Sequence, residues 1–129
     1  MKRTIILFIT TLTLFSCGKR SLQDYTDCPE QPLLFPDYTD ITVPCNIAPL
    51  NFQLEGAANL SVIIRGKKEY QFDSQPYRLQ FPIKKWKKML ADEKGDTLSV
   101  SVYAHISQQK IHYKDFHWYI SPDSIDRYL

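Results

Sequence analysis

Catalytic signatures, clustered metal ligands and an excess of charge are all missing from this chain of 129 residues. It has no G-x-S-x-G elbow, P-loop, H-E-x-x-H or C-x-x-C-H run. Serine acyl transfer, phosphoryl transfer, zinc proteolysis and covalent haem attachment therefore lack their usual sequence supports. Carboxylates fall singly on turn segments, with no spacing that pairs two of them for acid–base work. Histidine and cysteine number only three each. The expectation is a protein that is not an enzyme, with no catalytic residues, no metal and no cofactor. The 16 basic residues nominally exceed the 14 acidic ones, but Lys2 and Arg3 belong to a leader, and the rest of the chain is balanced. A generally cationic surface for nucleic acid is excluded.

Long hydrophobic runs are scarce too, with one exception at the start. Behind Lys2 and Arg3 an apolar stretch from Ile5 to Phe15, broken only by threonines, closes on Leu14-Phe15-Ser16-Cys17. It is too short to serve as a spanning helix, and a small residue before a cysteine suits a peptidase that cuts ahead of a lipidated Cys. Residues 1–16 read as a lipoprotein signal peptide and Cys17 as the lipidation site. A diacylglycerol and an amide-linked palmitate-type chain bury many methylenes at roughly 0.8 kcal/mol each, which anchors a protein without spanning the membrane. Cleavage elsewhere, as in an ordinary secreted protein, is the competing reading. Gly18-Lys19-Arg20-Ser21 carries no acidic cluster, which points to the bacterial outer membrane, facing the periplasm. Residues 17–36 hold Ser, Gln, Asp and Thr with Pro29, Pro32 and Pro36, and read as a lipidated tether.

From residue 37 to 129 short apolar alternations are separated by turn residues, the pattern of an all-β domain. Strands are expected near Ile41–Val43, Leu50–Leu54, Leu60–Arg65, Glu69–Asp73, Tyr77–Phe81, Thr97–Ser107 and Ile111–Ser121. The expected fold is an immunoglobulin-like β-sandwich of about seven strands with one short crossover helix. That helix begins at Pro82, carries Ile83, Trp86, Met89 and Leu90 on one stripe, and stops at Gly95. Lys84, Lys85, Lys87 and Lys88 crowd its other face. They read as an anionic-lipid or polyanion patch or, better, as a solvated face balanced by Asp92, Glu93 and Asp96.

In the last hairpin, a loop of Gln108, Gln109 and Lys110 aligns Val102 with Phe116, Val100 with Trp118 and Leu98 with Ile120 on one apolar face. The opposite face then carries Ser99, Ser101, Tyr103, His105, Tyr113, Asp115, His117 and Tyr119, while His112 points to the core side. His105 and His117 stand roughly 14 Å apart in this register, too far for one metal ion. Tyr103, His105, Tyr113, Asp115, His117 and Tyr119 form a candidate binding surface, because Tyr and His present flat amphipathic faces to ligands. Ordinary solvent-facing strand residues explain them as well. Cys28 and Cys45 either form a disulfide that ties the tether to the first strand, or remain a loose thiol and a small buried hydrophobe.

Two runs carry a family resemblance. Pro36-Asp37-Tyr38 with Asn46-Ile47-Ala48-Pro49-Leu50-Asn51-Phe52, and Tyr119-Ile120-Ser121-Pro122-Asp123 with Ile125-Asp126, resemble the amino-terminal region of Bacteroidetes lipoproteins that continue into TolB-like (PD40) β-propeller repeats. Trp86 fits the same region. The resemblance implies a leading β-sandwich, then a C-x-x-C-H-like segment, then the propeller, and neither of the last two lies in this chain. The chain is expected to act as an anchored, non-catalytic binding or positioning module whose partners are the membrane, through its lipid, and an envelope protein or polysaccharide. A truncated or split family member, inactive alone but with a sandwich that still folds, is the second expectation. A small envelope hydrolase with a convergent pocket is the third.

Overall fold

A computed structural model describes residues 22–74 and 76–125; Cys17, the expected signal peptide over residues 1–16 and the last four residues lie outside the described residues. The strands are β1 (Thr26–Asp27), β2 (Ile41–Pro44), β3 (Phe52–Gln53), β4 (Ala57–Arg65), β5 (Glu69–Ser74), β6 (Arg78–Leu79), β7 (Thr97–Ile106), β8 (Gln109–His112) and β9 (Phe116–Ser121). The helix α1 (Ile83–Asp92) joins β6 to β7. The fold is an all-β sandwich with unequal layers. A mixed seven-stranded sheet contains β5, β4 and β7 in order, and β7 then pairs β8 with one half and β9 with the other. At the outer edge β1 runs parallel to β8, and β2 parallel to β9. The second layer is the β3–β6 pair together with α1.

Period-two alternation selects the core face. Leu60, Val62 and Ile64 of β4, Leu98, Val100 and Val102 of β7, and Phe116, Trp118 and Ile120 of β9 are all fully buried. Above them sit Phe52, Leu79, Phe81, Trp86, Met89 and Leu90 from the second layer. Each such side chain contributes about 1.5–3 kcal/mol by leaving water. The rings are packed edge-on or tilted: Phe81 lies 4.9 Å from Phe72 and from Trp86, and Trp86 lies 5.9 Å from Trp118. Both indoles also meet their polar need, Trp86 Nε1 donating to Ile47 O at 3.0 Å and Trp118 Nε1 to Tyr38 O at 2.6 Å.

The helix follows its expected stripe at Trp86, Met89 and Leu90, whereas Ile83 is exposed. Pro82 is the residue before the helix, with ψ 128°, and its carbonyl accepts the Trp86 N–H at 2.9 Å. Lys84, Lys85, Lys87 and Lys88 are all exposed. Glu93, by contrast, is fully buried and does not balance them on the surface. Its carboxylate accepts the Lys67 and Lys68 backbone N–H groups and the Tyr70 hydroxyl, locking the helix end onto the turn between β4 and β5.

The fold departs from expectation in two places. Residues assigned to the tether belong to the sheet: β1 pairs β8, Cys28 N donates to His112 O, Lys114 N donates to Glu30 O, and Phe35 bridges Gln53. Pairing with an open edge satisfies backbone groups that the local composition leaves unassigned. The last hairpin also slides from the expected register, by three residues along β8 and by two along β9. It turns through Ser107 and Gln108, both at positive φ, so that Ile106 opposes Gln109 and Tyr103 opposes His112. A break at residues 113–115 then places Val100 opposite Phe116 and Leu98 opposite Trp118. The shift of two along β9 preserves which of its side chains face inward, so hydrophobic matching alone does not distinguish the two registers there, whereas the odd shift along β8 exchanges its faces.

Candidate functional site

The face of the large sheet turned away from the helix carries a connected polar cluster. Ser99, Ser101, Tyr103 and His105 project from β7, and His117 and Tyr119 from β9, as the alternation requires. Asp115, in the break between β8 and β9, reaches back to β7 and accepts from Ser101 Oγ at 2.6 Å and Ser99 Oγ at 3.4 Å. Arg65 Nη1 of β4 in turn donates to Ser101 Oγ at 3.3 Å. Ser101 has no exposure, so this chain of bonds stabilises the middle of a sheet face that sequence alternation alone leaves open to solvent.

His112 is the main correction to the expected strip. It stands on this face, where the expected register turned it toward the core. Its ring stacks on Tyr103 with centroids 4.2 Å apart and planes 6° from parallel. Tyr25, from the chain leading into β1, closes on Tyr103 edge-on at 5.3 Å, and Lys110 Nζ lies 5.8 Å over the Tyr25 ring. The imidazole sits between two carboxylates. Nδ1 meets Asp27 Oδ1 at 2.9 Å, while Nε2 faces Asp115 Oδ1 at 3.4 Å without the alignment of a hydrogen bond. Tyr113 is the residue that leaves the strip. Its N–H donates to Val102 O at 3.0 Å, its ring packs against the core, and burial pushes its phenol up, with the nearby Cys28 adding to the shift.

Asp27, Cys28, Pro29, Ser99, His112, Tyr113, Lys114, Asp115 and His117 border an open groove of about 650 Å³ between the incoming chain and β9. Asp40 tightens its rim. It accepts from Gln31 Nε2 and from the His117 backbone N–H, both at 2.9 Å, and these bonds hold its carboxyl below the usual carboxylate range. Of the expected surface residues, Tyr103, Asp115, His117 and Tyr119 share this face with His105, while Tyr113 joins the groove only by its edge. Asp27, Arg65, Tyr25 and His112 were missed. Tyr25-Thr26, an aromatic beside a β-branched residue inside the supposed tether, is the one local signal that could have flagged the strand.

Among the described residues no three His, Cys, Asp or Glu side chains are grouped as a metal ion needs. Cys28 and Cys45 are both free. Cys28 sits beside His112, whereas Cys45 Sγ lies 3.5 Å from Pro122 O and from Ser124 Oγ, beyond the far end of β9. A disulfide needs Cα atoms within about 7 Å, and these two sites are separated by much of the last strand pair. Compared with models of protein families, with curated proteins and with solved structures, the chain matches none.

Proposed function

We propose that this chain is a lipid-anchored protein of the bacterial envelope whose sandwich is a non-catalytic binding module. It holds a polar polymer, an envelope polysaccharide or an extended protein segment, in the groove between β1 and β9. Its likeness to the leading region of TolB-like propeller lipoproteins belongs to the same reading.

The observation that carries it is the state of the groove's side chains. An activated nucleophile needs a hydroxyl or thiol hydrogen-bonded to a base, and the base oriented by a third group. Here the Ser101 and Ser99 hydroxyls go to the Asp115 carboxylate, and His112 is held by Asp27. Groups fixed by one another in this way make a preformed recognition surface, with exposed Asp27 and His117 left to meet a ligand's hydroxyls or amides. The anchor rests on Leu14 to Cys17.

Two measurements test the reading. The wild type incorporates labelled fatty acid and sediments with membranes, whereas Cys17→Ala does neither. Titrated with soluble peptidoglycan fragments and with the polysaccharide of lipopolysaccharide, the mature chain binds one of them saturably, and Asp27→Ala or His117→Ala weakens binding about tenfold. An unlabelled wild type removes the anchor. Binding that ignores both groove variants removes the site.

A further inference from the structure

An exposed apolar cluster shares one end of the sandwich with the start of the described chain. Residues 31–36 approach β3 at Phe35, where Phe35 N donates to Gln53 O at 3.0 Å and Gln53 N donates to Phe35 O at 2.9 Å. Alternation turns Leu34 into the core at 6% exposure and turns Leu33 and Phe35 outward at 89% and 70%. Tyr77, 42% exposed, joins them because its carbonyl accepts the Leu54 N–H at 2.9 Å. With Gln53, Glu55 and Gly56 the three border a concavity of about 530 Å³. A Cβ on Gly56 would meet Ile106 Cγ2 at 3.8 Å, so the cluster abuts the tip of the β7–β8 hairpin. Asp24 and Thr26 border the same tip, lining a cleft with Gln108, Gln109 and Lys110.

Chain length supplies the occupant. Five residue steps separate Cys17 from Leu22, and even fully extended they reach no more than about 18 Å. A lipid on Cys17 therefore holds the hairpin-tip end of the sandwich at the bilayer, which is the end that bears the apolar cluster. The lysine face of α1 is not the surface so presented, since that helix ends against the Gly66 turn at the other end of β4. We propose that Leu33, Phe35 and Tyr77 form a membrane-docking surface that enters the headgroup region of the anchoring bilayer. Leu33 and Phe35 meet the acyl boundary and the Tyr77 phenol stays at headgroup level. This orientation leaves the polar groove at the side, open to the periplasm. The inference rests on the lipid-anchor reading of Cys17.

The test uses the full chain, lipidated in a bacterial host and reconstituted in vesicles of phosphatidylethanolamine with phosphatidylglycerol. Amide hydrogen exchange in peptides covering residues 31–36 and 53–57 slows about fivefold or more relative to the Cys17→Ser chain in solution, while residues 84–88 and 112–117 are unchanged. The double variant L33E/F35E keeps its melting temperature and its sedimentation with vesicles but loses the slowing. In a second arm an amino-terminal hexahistidine tag takes the place of Cys17 and is held by a nickel-chelating lipid. Fatty-acid label with unchanged exchange in both arms overturns the docking surface and leaves the anchor. Slowed exchange in the tagged arm, with no label on the wild type, supports the surface and overturns the anchor. Slowing of the same peptides in the untethered chain as its own concentration rises, without vesicles, assigns the patch to a second copy and overturns the proposal.

Discussion

A carboxylate with no exposure needs its hydrogen bonds, and Glu93 finds them outside its own helix, at Lys67 N (3.0 Å), Lys68 N (3.2 Å) and the Tyr70 hydroxyl (3.1 Å). Glu93→Ala strands three donors and should cost about 3 kcal/mol in urea melts. Gly66 is fixed by space: a Cβ there would fall 2.4 Å from both Glu93 Oε2 and Leu98 Cδ2. Gly66→Ala should therefore cost about 1–3 kcal/mol, since both neighbours are packed. The Tyr70 phenol is pushed up to about 12, first by burial and then by its bond and charge interaction with Glu93. A raised acid is stabilising below its unfolded value near 10 and loses that contribution as pH rises through 10 to 12. Stability should fall over this window in the wild type and less steeply in Tyr70→Phe, which urea titrations at stepped pH will read. Trp118→Ala should cost about 3–5 kcal/mol and His117→Ala under about 0.5, one ring being wholly buried and the other on the open face.

Strands and the helix were legible because their periods were clean: Leu60, Val62 and Ile64 alternate strictly, and Trp86, Met89 and Leu90 share one helical stripe. Register was not legible. Ser107 and Gln108 adopt a turn with two positive φ values that usually calls for Asn or Gly, so nothing local marked it. The three-residue slide of β8 that it permits moved His112 onto the open face and Tyr113 off it, while the other five expected surface residues kept their side. β1 was invisible for a different reason. Two residues of pairing amid prolines carry no period, and only the free edge of β8 decides their state. The rim between these elements can be tested through Asp40, which bonds Gln31 and then His117 N–H and whose carboxyl is held low. A lowered acid stabilises above its unfolded pKa and loses that contribution as pH falls through the folded value. From about pH 4 downward the wild type should therefore lose melting temperature faster than Asp40→Asn, which keeps the positive φ of that position without the charge.

The whole molecule is a sandwich with one shared core, and the edge it offers for pairing is filled from far away. Thr26 lies beside Ile111 and Ile41 beside Trp118, so among the described residues the first two strands are partnered by the last two. Closing such long loops carries its entropic cost before any pairing offsets it, which slows folding. Synthesis delivers the amino end first, and that end waits. While β8 and β9 are still being made, β1 and β2 have no edge to join, and the groove they border does not exist. If the chain is exported as proposed, it would be threaded outward while this end is still loose, which is the condition an export channel for unfolded chains requires. The last strands to be made thus turn a thread into a domain and, in the same step, create the groove that β1 and β9 border.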